Sequence, residues 1–81
     1  MADVWLMLTP RELEAVQQAA GDAGNGPLLR EVQAGLEAVT GELTLSRGLL
    51  ARVVLARRDW RGGYQTAFTA VLDAADRHGE L

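Results

Sequence analysis

One histidine, one serine and no cysteine limit the chemistry open to this chain of 81 residues. General acid–base and nucleophilic catalysis need a base held beside the group it serves. His78 stands next to Gly79, in what reads as the last turn of a helix, where the helix dipole favours an imidazole. Ser46 precedes a helical apolar pattern and reads as its N-cap. A lone imidazole without a thiolate does not make a transition-metal site. Glu12, Glu31 and Glu37 read as scattered solvent-facing helical positions, not as a catalytic pair. Gly24-Asn25-Gly26 and Gly62-Gly63 lack the Gly-Lys-Ser/Thr context of a phosphate loop. The expectation is a protein that is not an enzyme and carries no cofactor and no metal.

The residue types that remain suit binding. All eight basic residues are arginine. That reads either as the coding bias of a high-GC genome or as a choice of planar, bidentate contacts. Residues 1–42 hold seven acids and two arginines, whereas residues 43–81 hold six arginines and four acids. The cationic part is the run Arg47, Arg52, Arg57, Arg58 and Arg61, with Asp59 the only acid among them. Such asymmetry bears on partners rather than on fold. Trp60 and Tyr64 join Arg57, Arg58 and Arg61 in a group of the types that dominate interface energies. The same group could grip a nucleic-acid backbone by charge and stacking. The plainer alternative is that the aromatics pack a turn onto its helices. Trp5 and Met7 pose a similar choice: a strand buried on both faces, or an exposed apolar ribbon face of the kind that marks a protein interface.

These residues need elements to hold them. The chain is one domain by length, with a core thin enough that a partner chain could help to bury it. An apolar fraction of 48% and a charged fraction of 23% argue for a folded chain. The start has a short apolar run and an early acid, which does not read as a secretory signal. No stretch reaches membrane-spanning length. Absence of cysteine fits a reducing compartment, so the expected location is cytoplasmic, with no membrane partner.

The sequence also repeats, with an offset of 37 residues (8 to 45). Leu8 falls on Leu45, Thr9 on Ser46, Leu13 on Leu50, Val16 on Val53, and Gly26 on Gly63. A slightly longer offset sets Leu29 on Phe68 and Val32 on Val71. Each copy opens with a short alternating segment, residues 4–8 and 42–45, that predicts a strand. Thr9-Pro10-Arg11-Glu12 then combines a capping hydroxyl, proline at the first helical position and the glutamate of a capping box. Glycines stop each first helix. A second helix follows, led in copy one by Pro27 and striped by Leu29, Val32, Leu36 and Val39; in copy two by Phe68, Val71, Leu72 and Ala75. Gly41 reads as the linker between copies. The expected units are residues 3–39 and 40–79 of a single domain 1–81. The expected core joins Leu13, Val16, Leu29, Val32, Leu36, Leu50, Val53, Phe68, Val71 and Leu72.

Strand, helix, glycine turn and helix, from Leu8-Thr9-Pro10-Arg11-Glu12-Leu13 through Val16 and Gly24-Asn25-Gly26 to Leu29 and Val39, resemble one unit of the ribbon-helix-helix superfamily. Leu43 to Ala75 resembles a second. The resemblance implies a mainly helical fold with a short two-stranded antiparallel ribbon, as a pseudo-dimer in one chain or as a homodimer. The alternative is an all-helical bundle. The resemblance also implies DNA binding by outward ribbon side chains in the major groove, with phosphates at the second helices. The outward positions here would be Asp3, Trp5, Met7, Thr40, Glu42 and Thr44, none of which is a base-reading type, and Pro27 removes a donor at one phosphate site. The favoured expectation is therefore a protein-binding module, a small regulator or inhibitor. Its size also suits a phage or mobile-element product directed at a host system. The contact residues would be Trp5, Met7, Glu42, Thr44, Arg57, Arg58, Trp60, Arg61 and Tyr64. The alternative is a ribbon-helix-helix-type DNA-binding transcriptional regulator working through Arg47 to Arg61.

Overall fold

The computed structural model describes residues 3–19, 26–59 and 65–81. They form, in order, β1 (Val4–Met7), α1 (Pro10–Gln17), α2 (Gly26–Ala34), β2 (Leu36–Glu37), β3 (Glu42–Leu45), α3 (Arg47–Asp59) and α4 (Gln65–Arg77). The fold is mostly helical, with one small antiparallel sheet in the order β1-β3-β2. That sheet rules out the all-helical bundle.

Strand alternation sets the register. Val4 pairs with Leu45, Trp5 with Thr44, Leu6 with Leu43, and Met7 with Glu42. Successive strand residues face opposite sides, so Val4, Leu6, Leu43 and Leu45 share the inner face and are all buried. Leu8 continues the pairing just past β1: its N–H donates to the Gly41 carbonyl at 2.9 Å. The helix starts follow the capping chemistry. The Thr9 hydroxyl accepts from the Glu12 N–H at 3.2 Å, and the Glu12 carboxylate accepts from the Thr9 N–H at 2.8 Å. Ser46 Oγ accepts from the Leu49 N–H at 3.0 Å at the start of α3.

Helix α4 is the centre of the core. It packs against both α1 and α3 and touches β1, while α2 packs on α3. Phe68 and Val71 are fully buried along it, and the buried methyls of Ala67, Ala70, Ala74 and Ala75 let neighbouring helices approach closely. Val16, Leu28, Leu29, Val32, Leu50 and Val53 fill the rest. Burying a side chain such as Phe68 contributes roughly 1.5–3 kcal/mol. Leu13, Leu36 and Leu72 of the expected core lie at its margin, partly exposed.

The end of the first copy departs from expectation. The stripe Leu29, Val32, Leu36, Val39 predicts one helix, but α2 stops at Ala34 and Leu36 enters a third strand. Gly35 is the cause. A Cβ there would stand 2.1 Å from the Thr44 carbonyl oxygen, so only glycine lets the chain turn so close to β3. Leu36 then pairs with Leu43 and Glu37 with Glu42. Val39, expected in the stripe, sits outside the strands and is 91% exposed. Gly41, expected as a linker, is part of the β2–β3 connection with φ +83, a left-handed geometry that favours glycine. The ribbon is thus three-stranded, and its hairpin straddles the expected boundary between residues 39 and 40.

Candidate functional site

The outer face of the sheet gathers four of the expected contact residues. Trp5 and Thr44 are partners across β1 and β3, and Met7 and Glu42 are the next pair. Glu37 extends that second row from β2, and exposed Asp3 precedes Trp5 on the same alternation. Trp5 is 49% exposed, so β1 is not buried on both faces there; Met7 is half-buried. Among the described residues this face carries three acids and no basic side chain. Glu37 and Glu42 stand directly opposite one another, an arrangement that opposes like charges.

The C-terminal turn of α4 meets the free edge of β1. The Met7 N–H donates to His78 Nε2 at 3.1 Å. Arg77 donates to the Met7 carbonyl at 2.9 Å and grips the Glu12 carboxylate with two nitrogens at 2.7 and 3.0 Å. The Arg77 hydrogen bond, against an opposing effect of burial and with help from Thr9, holds the Glu12 carboxyl below its ordinary range; Arg77 is raised in turn by Glu12. The His78 ring stands edge-on to Trp5, with ring centroids 5.6 Å apart and planes at 78°. Glu80 pairs with Arg47 at 3.0 Å, tying the same turn to the start of α3. The turn itself is closed by backbone bonds, Glu80 N–H to Ala75 and Gly79 N–H to Asp76, the pattern of a Schellman stop. His78 is therefore a helix-end residue, as its position predicts. Its acceptor role on β1, and the donor role of Arg77 beside it, lie outside the expected site.

The described members of the arginine run do not form one open basic patch. Arg47 is paired with Glu80 and Arg52 with Glu31, the latter at 2.6 Å. Arg57 is half-buried and donates to Thr69 Oγ1 at 2.6 Å. Arg58 is exposed. A helix rises about 1.5 Å per residue, which puts Arg57 and Arg58 roughly 15 Å along α3 from its start beside the sheet. The structure thus separates them from the Trp5 face. Trp60, Arg61 and Tyr64 lie outside the described residues. Of the expected solvent-facing carboxylates, Glu31 is exposed, Glu37 belongs to a strand, and Glu12 is largely covered by its contacts with Thr9 and Arg77.

A concavity of about 550 Å³ lies between α1 and α4, with Ala15, Ala19 and Ala67 beneath Arg11, Glu14, Gln18 and Thr66. Among the described residues no three potential metal ligands converge, and no helix is long and apolar enough to cross a membrane. No family model, curated protein or solved structure matches the chain.

Proposed function

We propose that this chain is a non-enzymatic protein-binding module, a small cytoplasmic regulator or inhibitor that docks through the outer face of its sheet. The observation that carries the reading is Trp5: a tryptophan half open to solvent on the edge strand β1, on a sheet face that also carries Asp3, Glu42 and Glu37. A large aromatic held by paired strands loses little freedom when it enters a partner's pocket, and tryptophan is enriched among energetic anchors. The acids around it favour a basic partner surface and disfavour DNA, whose phosphates they repel.

The proposed architecture is a ribbon-helix-helix-like pair of β-α-α units in one chain. The order β1-α1-α2 followed by β3-α3-α4 supports it, with β2 added between. So does the packing. The first helix of each unit packs on the second helix of the other, α1 on α4 and α3 on α2.

The test compares the parent with Trp5→Ala and Arg58→Ala, in capture from lysate and in mobility shifts on mixed-sequence DNA at several salt concentrations. A bound protein lost with Trp5→Ala and kept with Arg58→Ala, with the fold intact by circular dichroism, supports the reading. Loss of the tryptophan anchor should weaken the complex by about 1–3 kcal/mol. Tight DNA binding at physiological salt, steep in salt, insensitive to Trp5 and weakened by Arg58→Ala, would overturn it in favour of a DNA-binding regulator.

A further inference from the structure

The hydrogen-bond phase of β1 leaves one of its sides unpaired by backbone. In an antiparallel ladder, alternate residues turn their N–H and C=O toward the neighbour and the rest turn them away. Thr44 donates to the Gly35 carbonyl on the β2 side at 3.0 Å, and Leu8 donates to Gly41 on the β3 side. Val4, Leu6 and Leu8 therefore bond toward β3, while Trp5 and Met7 turn their amides and carbonyls to the open edge. At Met7 that edge is met by side chains, His78 and Arg77. At Trp5, among the described residues, no group bonds the edge.

We infer that this edge accepts an extended segment of the partner as an added strand, one whose residues alternate between basic and apolar. The inference rests on the protein-binding reading and names how the partner is held. Exposed edge amides are ready templates for strand addition, in which main-chain bonds supply affinity and alternate side chains supply specificity. An added strand places every second side chain on the outer face, beside Asp3 and Trp5. Arginine or lysine there complements Asp3, the exposed acid that precedes β1 on this face. Apolar groups at those positions can instead pack across the Trp5 ring. The other side chains of the segment continue the inner, apolar face. A second copy of this chain fits less well, because edge-to-edge pairing sets one acidic outer face beside another. The imidazole of His78 occupies the Met7 N–H that the incoming carbonyl needs, so His78 competes with the segment.

The probe is a short acetylated and amidated peptide of alternating arginine and valine, titrated into the labelled full chain by NMR with amide hydrogen exchange. Binding should slow exchange at the Trp5 amide by about tenfold or more, as expected for a newly formed ladder bond. His78→Ala should bind the peptide about fivefold more tightly, the equivalent of one competing hydrogen bond removed. His78→Gln, which keeps an acceptor, should return toward the parent affinity. A peptide with glutamate in place of arginine, and one N-methylated on alternate amides, should not bind. Absence of Trp5 protection at saturation, or weaker binding by a folded His78→Ala, overturns the inference. So does equal binding of the N-methylated peptide; if that binding is lost in Trp5→Ala, the protein-binding face stands and only the strand-addition mode fails.

Discussion

On the β3 side of the sheet, the Thr44 N–H bonds the backbone carbonyl of Gly35; on the β1 side, the Met7 N–H bonds the ring nitrogen of His78. The first closure is built from chain held at contact distance, since nothing larger than glycine fits at position 35. The second is built from the side chains of a helix end, which can rotate away without breaking a strand pair. Backbone pairing closes the β2 side of the central strand β3, whereas side-chain capping protects the edge of β1 at Met7 and keeps it exchangeable. On the proposed reading, that contrast limits indiscriminate pairing at the β1 edge while leaving it able to take a partner strand.

The core beneath both edges should dominate any perturbation. Phe68→Ala should cost about 3–5 kcal/mol in urea unfolding, as for other buried aromatics. Both edges should then melt together, and separate transitions for β1 and β2 would mean that the sheet does not share one core. Gly35→Ala comes next. Its methyl would collide with the Thr44 carbonyl, so the variant should lose about 3 kcal/mol and the β2–β3 pairing, seen as fast exchange at Thr44, with β1–β3 retained.

The side-chain edge should yield a smaller effect, and one that depends on pH. Glu12 is held below its ordinary value by Arg77. A carboxyl lowered in the folded state stabilises the fold above its unfolded value, near 4.5, and loses that contribution as pH falls through the lowered value. Stability should therefore decline below about pH 4.5. Arg77→Met should flatten that decline and be less stable at neutral pH, as measured by melting at several pH values. Smallest of all is Val39→Ser. Its side chain is almost wholly exposed, so stability should change by no more than about 0.5 kcal/mol; a large loss would put Val39 back in a helical stripe.

The sequence made the pairing of β1 with β3 far more legible than the closures on either side of it. Alternation at Leu6, Leu8, Leu43 and Leu45 predicts the β1–β3 pair, and Thr9 and Ser46 mark both helix starts. Val16, Val32, Val53, Phe68 and Val71 fall where helical spacing puts them. The helix end at Ala34 was hidden because Leu36 and Val39 continue a helical stripe. Only the close approach of Gly35 to Thr44 shows that the chain turns there. Trp5, Met7, Glu42 and Thr44 were legible as a face because a strand sorts its residues by parity. The clamp on β1 was not, because Arg77 and His78 lie some 70 residues from Met7, and no local pattern signals a contact at that separation. The ion pairs of the arginine run were illegible for a related reason: Glu31 and Glu80, which pair with two of its members, come from distant elements.

The contrast between the edges is tested most directly by amide hydrogen exchange at Trp5, Met7 and Thr44, in the free parent and in His78→Ala. Three classes should appear in the parent: Trp5 fast, Met7 protected, and Thr44 slowest because it lies in the central strand. In His78→Ala, Met7 should become as fast as Trp5 while Thr44 stays unchanged. Protection of Trp5 equal to that of Thr44 in the parent, or a Met7 amide indifferent to the loss of His78, would contradict the account.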